Sequence, residues 1–136
     1  MNSFLLDTHV VIWALTENHR LDENVKAIIK DPGNSVYFSA VSLWEIAIKN
    51  TKAPDKCPYN EKYIYEACIA SGFELLELEA KHIFGLRSLS AKEGCSLSNM
   101  DPFDRILISQ AKTEDISIIS ADSAFKYYDE SCIITL

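Results

Sequence analysis

Four acidic residues of this sequence stand where carboxylates are costly. Asp7 closes the apolar run that starts at Ser3, and Asp122 follows the run ending at Ile119 by three positions. Both fall at or just beyond the carboxyl ends of predicted strands, the edge at which open α/β sheets bind ligands. Asp104 lies in the first turn of a helix that begins at Asp101-Pro102. At about 100° per residue, Leu107, Ile108 and Ala111 lie on its side of that helix, so its carboxylate points along the apolar face. Arg105, Ser109 and Lys112 take the other side, where solvent is expected. Glu45 sits beside Val41 and Ile48 on a helix of its own. An unpaired charge on an apolar face costs several kcal/mol unless a cation balances it. A hard divalent metal is the natural counterion: Mg²⁺ takes one or two protein carboxylates with waters and a phosphate, and it can bring a water near neutral-pH reactivity.

Each acid also has a plainer explanation. Ser42-Leu-Trp-Glu45 is a capping-box pattern, Glu45 and Lys49 form an i,i+4 pair, and Asp101 before Pro102 is a good N-cap. Asp104 and Asp122 suit first turns of helices. Capping does not explain why carboxylates recur where strand ends meet helix starts.

The elements that must position these acids alternate along the chain. Strands are predicted at Ser3–Asp7, Ser35–Phe38, Phe73–Leu76, Ile116–Ile119 and Cys132–Thr135, each a short apolar run. Helices are predicted at Thr8–Leu15, Asp22–Lys30, Ala40–Asn50, Glu61–Ser71, Glu79–Leu86, Asp101–Glu114 and Ala121–Tyr127. Asp31-Pro-Gly-Asn34 is a strong turn, and Gly72 closes a helix. Residues 88–99, small and polar, read as a mobile functional loop. Such alternation implies a parallel sheet covered by helices, the α/β class, in a single domain spanning residues 1–136.

The four acids stand in four motifs: Phe4-Leu-Leu-Asp-Thr-His-Val-Val-Ile-Trp13, Ser39-Ala-Val-Ser-Leu-Trp-Glu-Ile-Ala-Ile-Lys49, Asp101-Pro-Phe-Asp-Arg-Ile-Leu-Ile-Ser-Gln-Ala111 and Ile118-Ile-Ser-Ala-Asp-Ser-Ala-Phe125. In this order they resemble the acidic motifs of PIN-domain proteins, and among these the VapC-type toxins of bacterial toxin–antitoxin pairs. The resemblance implies a three-layer α/β/α fold with a parallel sheet of about five strands. It implies metal-dependent RNA cleavage with Mg²⁺ or Mn²⁺, at a site made of Asp7, Glu45, Asp104 and Asp122 as both metal ligands and catalytic groups. In the third motif the spacing to Ala111 favours Asp104, leaving Asp101 as a helix cap or supporting group. Ser120 keeps the hydroxyl of the Thr that many family members carry. The resemblance further implies a cognate antitoxin, expected to carry a basic segment and a DNA-binding half, and a homodimer built through helices in the first half of the chain.

Composition bounds the remaining choices. The 136 residues carry 13 basic and 20 acidic side chains, a net charge of −7, so contact with RNA requires a local basic patch. The longest apolar run, Val10–Leu15, is far short of the about 20 residues of a membrane span, and the first residues carry no basic signal-peptide region. Cys57, Cys68, Cys95 and Cys132 lack the C-x-x-C spacing of a zinc site and are expected to be free thiols of a cytoplasmic protein. Of the remaining side chains, Thr8 and Ser39 read as caps, or else as holders of metal-bound water or carboxylates, and His9 as packed or surface, or else as a contact to substrate phosphate. Trp13, Trp44, Phe103 and Phe125 read as core, while Lys49, Lys52, Lys56, Arg87 and Arg105 read as solvated cations beside a possible RNA path.

Two other function classes fit the same acids. One is a binding module of the same fold without turnover. The other is phosphoryl transfer through an aspartyl phosphate, disfavoured because Asp7-Thr-His9 lacks a second acid and no suitably placed Lys follows a strand.

Overall fold

Every predicted strand pairs side by side with its neighbours in one direction. A computed structural model describes residues 2–136. It contains five strands, β1 (Ser3–Leu6), β2 (Ser35–Ser39), β3 (Glu74–Leu76), β4 (Ser117–Ser120) and β5 (Ile133–Thr135). They form one all-parallel sheet in the order β3-β2-β1-β4-β5. The helices are α1 (Thr8–Thr16), α2 (Glu23–Lys30), α3 (Ala40–Lys52), α4 (Glu61–Ala70), α5 (Ala80–Phe84) and α6 (Pro102–Glu114).

The strands are short and apolar because both faces of the sheet are covered. Phe4 and Leu6 of β1, Val36 and Phe38 of β2, and Ile119 of β4 pack with Val10, Ile46 and Ile64 in one core. The alternate residues Leu5 and Ile118 pack with Val41, Leu107, Ile108 and Ala111 in the other. The period of two along each strand thus divides the interior into two cores, one dominated by α1 and α4 and one by α6. This is the expected α/β/α layering.

Strand order reverses direction at β1, since the chain moves outward to β2 and β3, then crosses back to lay β4 on the other side. Open α/β sheets bind ligands at the carboxyl ends of the strands beside such a switch, here β1 and β4. Asp7 and Asp122 lie just beyond those ends.

Three expectations shift. The helix predicted at Ala121–Tyr127 is a 3-10 turn over Ser123–Tyr127, capped by Asp122, because the chain has only a few residues in which to return to β5. The solvent side predicted for the Asp101–Glu114 helix is partly covered: Ser109 is buried and donates its hydroxyl to the His82 carbonyl, since α5 and the 3-10 turn Gly85–Ser88 pack there. Gly85 permits this approach, as a Cβ there would lie 2.7 Å from Ser109 Oγ and 2.8 Å from Thr113 Oγ1. The loop at 88–99, expected to be mobile, is joined at residues 90–92 to the segment before β5. Ala91 bridges antiparallel to Tyr128, Lys92 N–H donates to the Tyr127 carbonyl, and Ser90 N–H donates to Glu130, which Lys112 also pairs at 3.0 Å.

Candidate active site

Asp7 ends β1 and caps α1. Its Oδ1 accepts the Thr8 N–H at 2.7 Å, while Oδ2 accepts the Ser120 hydroxyl at 2.7 Å across the gap between β1 and β4. Ser120 Oγ in turn accepts the Asp122 N–H at 3.0 Å, so one hydroxyl ties the two strand-end acids together. Asp122 Oδ1 caps the 3-10 turn by accepting the Ala124 N–H. Glu45 reaches in from α3, where its Oε1 accepts the Thr8 hydroxyl at 2.7 Å and its Oε2 pairs with Lys49 at 2.8 Å. Thr8 Oγ1 also lies 2.9 Å from Ser42 Oγ. Thr8 therefore holds a carboxylate, whereas Ser39 caps α3 at the Val41 N–H and donates to Gln110.

Asp104 differs from the other three. It is buried, and among the described residues its carboxylate has no hydrogen-bond or ion-pair partner. Burial, followed by the charges of Asp7, Asp101, Asp122 and Glu45, pushes its pKa up to about 8. The other three predicted site acids thus lie within electrostatic reach of Asp104. Burial also raises Asp7, against the lowering effect of the Ser120 and Thr8 hydrogen bonds. Asp101 is exposed and caps α6, its Oδ1 accepting from the N–H groups of Phe103 at 2.7 Å and Asp104 at 3.4 Å.

This donor set has the chemistry of a hard divalent cation site, although among the described residues only Glu79, His82 and Glu114, and no three of these acids, have ligand atoms all within 4.8 Å of one another. It offers oxygen ligands only, two of them buried and raised in pKa, and an ion would take the place of the Asp104 proton while relieving the mutual repulsion. Tyr128 lies at the same place. Its hydroxyl is buried without a hydrogen-bond partner, as is Arg105 Nε, and burial and then the Asp104 charge push its pKa up to about 12.

The sequence holds a PIN-domain pattern, and the family model for the PIN domain matches residues 4–131. The chain belongs to the PIN-domain family. Its fold is that of solved PIN-type complexes of low sequence identity. VapBC2 from Rickettsia felis bound to a fragment of promoter DNA is 16% identical, with 98% of each chain covered and a TM-score of 0.69. DNA-bound VapBC from Salmonella typhimurium is 15% identical over 99% of this chain and 98% of that one, with a TM-score of 0.68. FitAcB from Neisseria gonorrhoeae is 21% identical over 88% of each chain, with a TM-score of 0.54. No curated protein was found to match.

Beside the PIN motifs, sequence reasoning missed several features. Trp44, expected in the core, is 59% exposed and meets Phe103 edge-on at 4.9 Å, because α3 turns that face outward beside the site. Glu79, His82 and Glu114 bring ligand-type atoms within 4.8 Å of one another. Buried His82 accepts the Glu79 N–H at Nδ1, so the ring proton sits on Nε2 and is donated to Glu114, which Lys81 also pairs at 2.9 Å. Both ring nitrogens are engaged, and the trio clamps α5 to α6. Its sequence signal was the capping spacing Glu79 to His82. No helix is long and apolar enough to cross a membrane among the described residues.

Proposed function

We propose that this PIN protein is a metal-dependent endoribonuclease and the toxin of a toxin–antitoxin pair. The observation that carries the reading is the gathering of Asp7, Glu45 and Asp122 around buried Asp104, whose pKa is lifted to about 8 first by burial and then by the charges of Asp7, Asp101, Asp122 and Glu45. These four would hold Mg²⁺ or Mn²⁺, which when bound neutralises phosphate oxygens and makes a water reactive near neutral pH.

The chain's own groups do the positioning. Ser120 and the Thr8 N–H fix both oxygens of Asp7, and the Thr8 hydroxyl and Lys49 fix those of Glu45. Asp101 secures the first turn of α6 and with it the direction of Asp104. Single-stranded or looped RNA suits the site, because its backbone is accessible there. An antitoxin with a basic segment is the matching inhibitor, since an inserted Arg or Lys competes with metal for the acids. A toxin–antitoxin complex from Klebsiella pneumoniae, 15% identical with a TM-score of 0.58, is among the similar solved structures, which supports a partner antitoxin. Pairing of two copies through first-half helices belongs to the same proposal.

The purified chain is expected to cut RNA with Mg²⁺ or Mn²⁺ and to stop with chelator. Cleavage that persists in chelator and in Asp7→Asn would overturn the nuclease reading. Expression of the chain alone is expected to arrest growth, with relief by Asp104→Asn and by co-expression of the neighbouring gene. Relief by the variant but not by that gene would remove the paired antitoxin.

A further inference from the structure

A groove of about 680 Å³ opens beside the carboxylates, within the range of roughly 300–1,000 Å³ of small-ligand sites. It continues into the acid cluster, because Thr8 and Lys49 both line it and both bind Glu45. Its floor includes Ile12 and Ile46. Aromatic rings stand along its walls in preformed stacks. On α1, exposed His9 stacks against half-buried Trp13 with centroids 6.2 Å apart and planes 30° apart, and the Arg20 guanidinium lies 5.9 Å from the Trp13 ring. Tyr59, in the loop between α3 and α4, stacks on Tyr63 of α4 at 5.5 Å and 15°, and of the two only Tyr59 lines the groove.

The charge of the lining is opposite to that of the molecule. A chain of net charge −7 contributes Arg20, Lys49 and Lys56 to this groove and, among the described residues, no carboxylate. Cations interleaved with aromatic rings are what an unpaired nucleotide needs: a π-face for the base and positive charge for the backbone. The same lining repels the basic segment expected to close the neighbouring acids, so the observations favour a polyanion over that kind of protein. A base paired and stacked within a duplex has no free face to offer such rings, so this chemistry suits single-stranded substrate.

We propose that this groove seats an unpaired nucleotide next to the scissile phosphate, with its base against the Trp13 or Tyr59 stack and its backbone toward Arg20 and Lys56. The proposal rests on the ribonuclease reading for its substrate class.

The test uses the full chain carrying Asp104→Asn to prevent cutting and Trp44→Phe to leave Trp13 as the remaining tryptophan. The probes are a single-stranded RNA ten-mer of mixed sequence and the blunt duplex of that sequence. The ten-mer is expected to quench Trp13 fluorescence, and the duplex to bind at least about tenfold more weakly. Arg20→Glu with Lys56→Glu, both at exposed positions, is expected to weaken ten-mer binding about tenfold or more and to flatten its salt dependence. Circular dichroism melts confirm that this variant is folded. Unchanged affinity in it, equal binding of the duplex, or quenching by the co-expressed partner protein but not by RNA would each overturn the groove assignment. Cleavage by the wild-type chain, run in parallel with Mg²⁺, separates the two readings. Cutting with groove variants that bind as before sinks the groove alone, whereas groove binding without cutting leaves the groove and sinks the nuclease.

Discussion

The Ser120 hydroxyl donates to Asp7 Oδ2 at 2.7 Å, joining residues 113 positions apart at the centre of the sheet. It fixes one carboxylate by its charge-assisted bond and, through the Asp122 N–H, the backbone of a second. Ser120→Ala is expected to weaken metal affinity by about ten- to a hundredfold, as loss of a group that orients a ligand does. Ser120→Thr keeps the hydroxyl and is expected to restore it. The Mg²⁺ dependence of RNA cleavage by both variants checks this, and equal Mg²⁺ requirements in wild type and Ser120→Ala would refute it.

Asp104 and Asp101 are expected to separate cleanly. Asp104→Asn removes a partnerless buried acid from a repulsive cluster, so the metal-free protein keeps or gains stability while cleavage is lost. Asp101→Ala loses a cap, costing about 1 kcal/mol with or without metal, and keeps most activity. Thermal melts with chelator and with Mg²⁺, alongside the cleavage assay, decide. Loss of metal stabilisation in Asp101→Ala with retention in Asp104→Asn would move the third acid by one helical turn.

The pH dependence follows from the same group. The Asp104 pKa is raised from 3.8 to about 8 on folding, so between those values the native state binds the extra proton. Metal-free stability therefore is fully present below the lower value and declines as pH rises toward about 8. Asp104→Asn is expected to flatten that slope, as read from urea titrations in chelator from pH 5 to about 9. Because metal displaces the proton, Mg²⁺ affinity is expected to rise over the same window. A pH-independent affinity would contradict this.

Gly85 supplies a test of packing far from the acids. Ser109 Oγ cannot move aside for a Cβ without giving up the His82 carbonyl, so Gly85→Ala is expected to cost about 1–3 kcal/mol. Chemical denaturation measures it, and a change under half a kcal/mol would show that α5 relaxes at little cost.

The sheet was legible because every strand is a short apolar run between turn signals, and Asp7 and Asp122 stood out because they punctuate strand ends. Trp44 was not, since helical spacing alone does not say which of two sides faces a neighbour. Ser109 was misplaced for the related reason that α5, a five-residue helix, covers a face that periodicity assigns to solvent. The groove escaped notice because Arg20 and the Lys56–Tyr59 segment belong to separate stretches, and only folding places them with Trp13. The pairing of Ser120 with Asp7 likewise depends on β4 lying beside β1, which local sequence does not encode.

The strand order also governs when the acids can meet. β1 is synthesised first, yet its second neighbour, β4, arrives only at residues 117–120. A nascent chain on the ribosome can pair β1 with β2 and raise α1 and α3, but it has neither Ser120 nor Asp122 to complete the site. Such long-range parallel pairing is slow to form. Fragments that end before residue 117 therefore lack Ser120 and Asp122, and the acid cluster is complete only once β4 and the turn after it have been made.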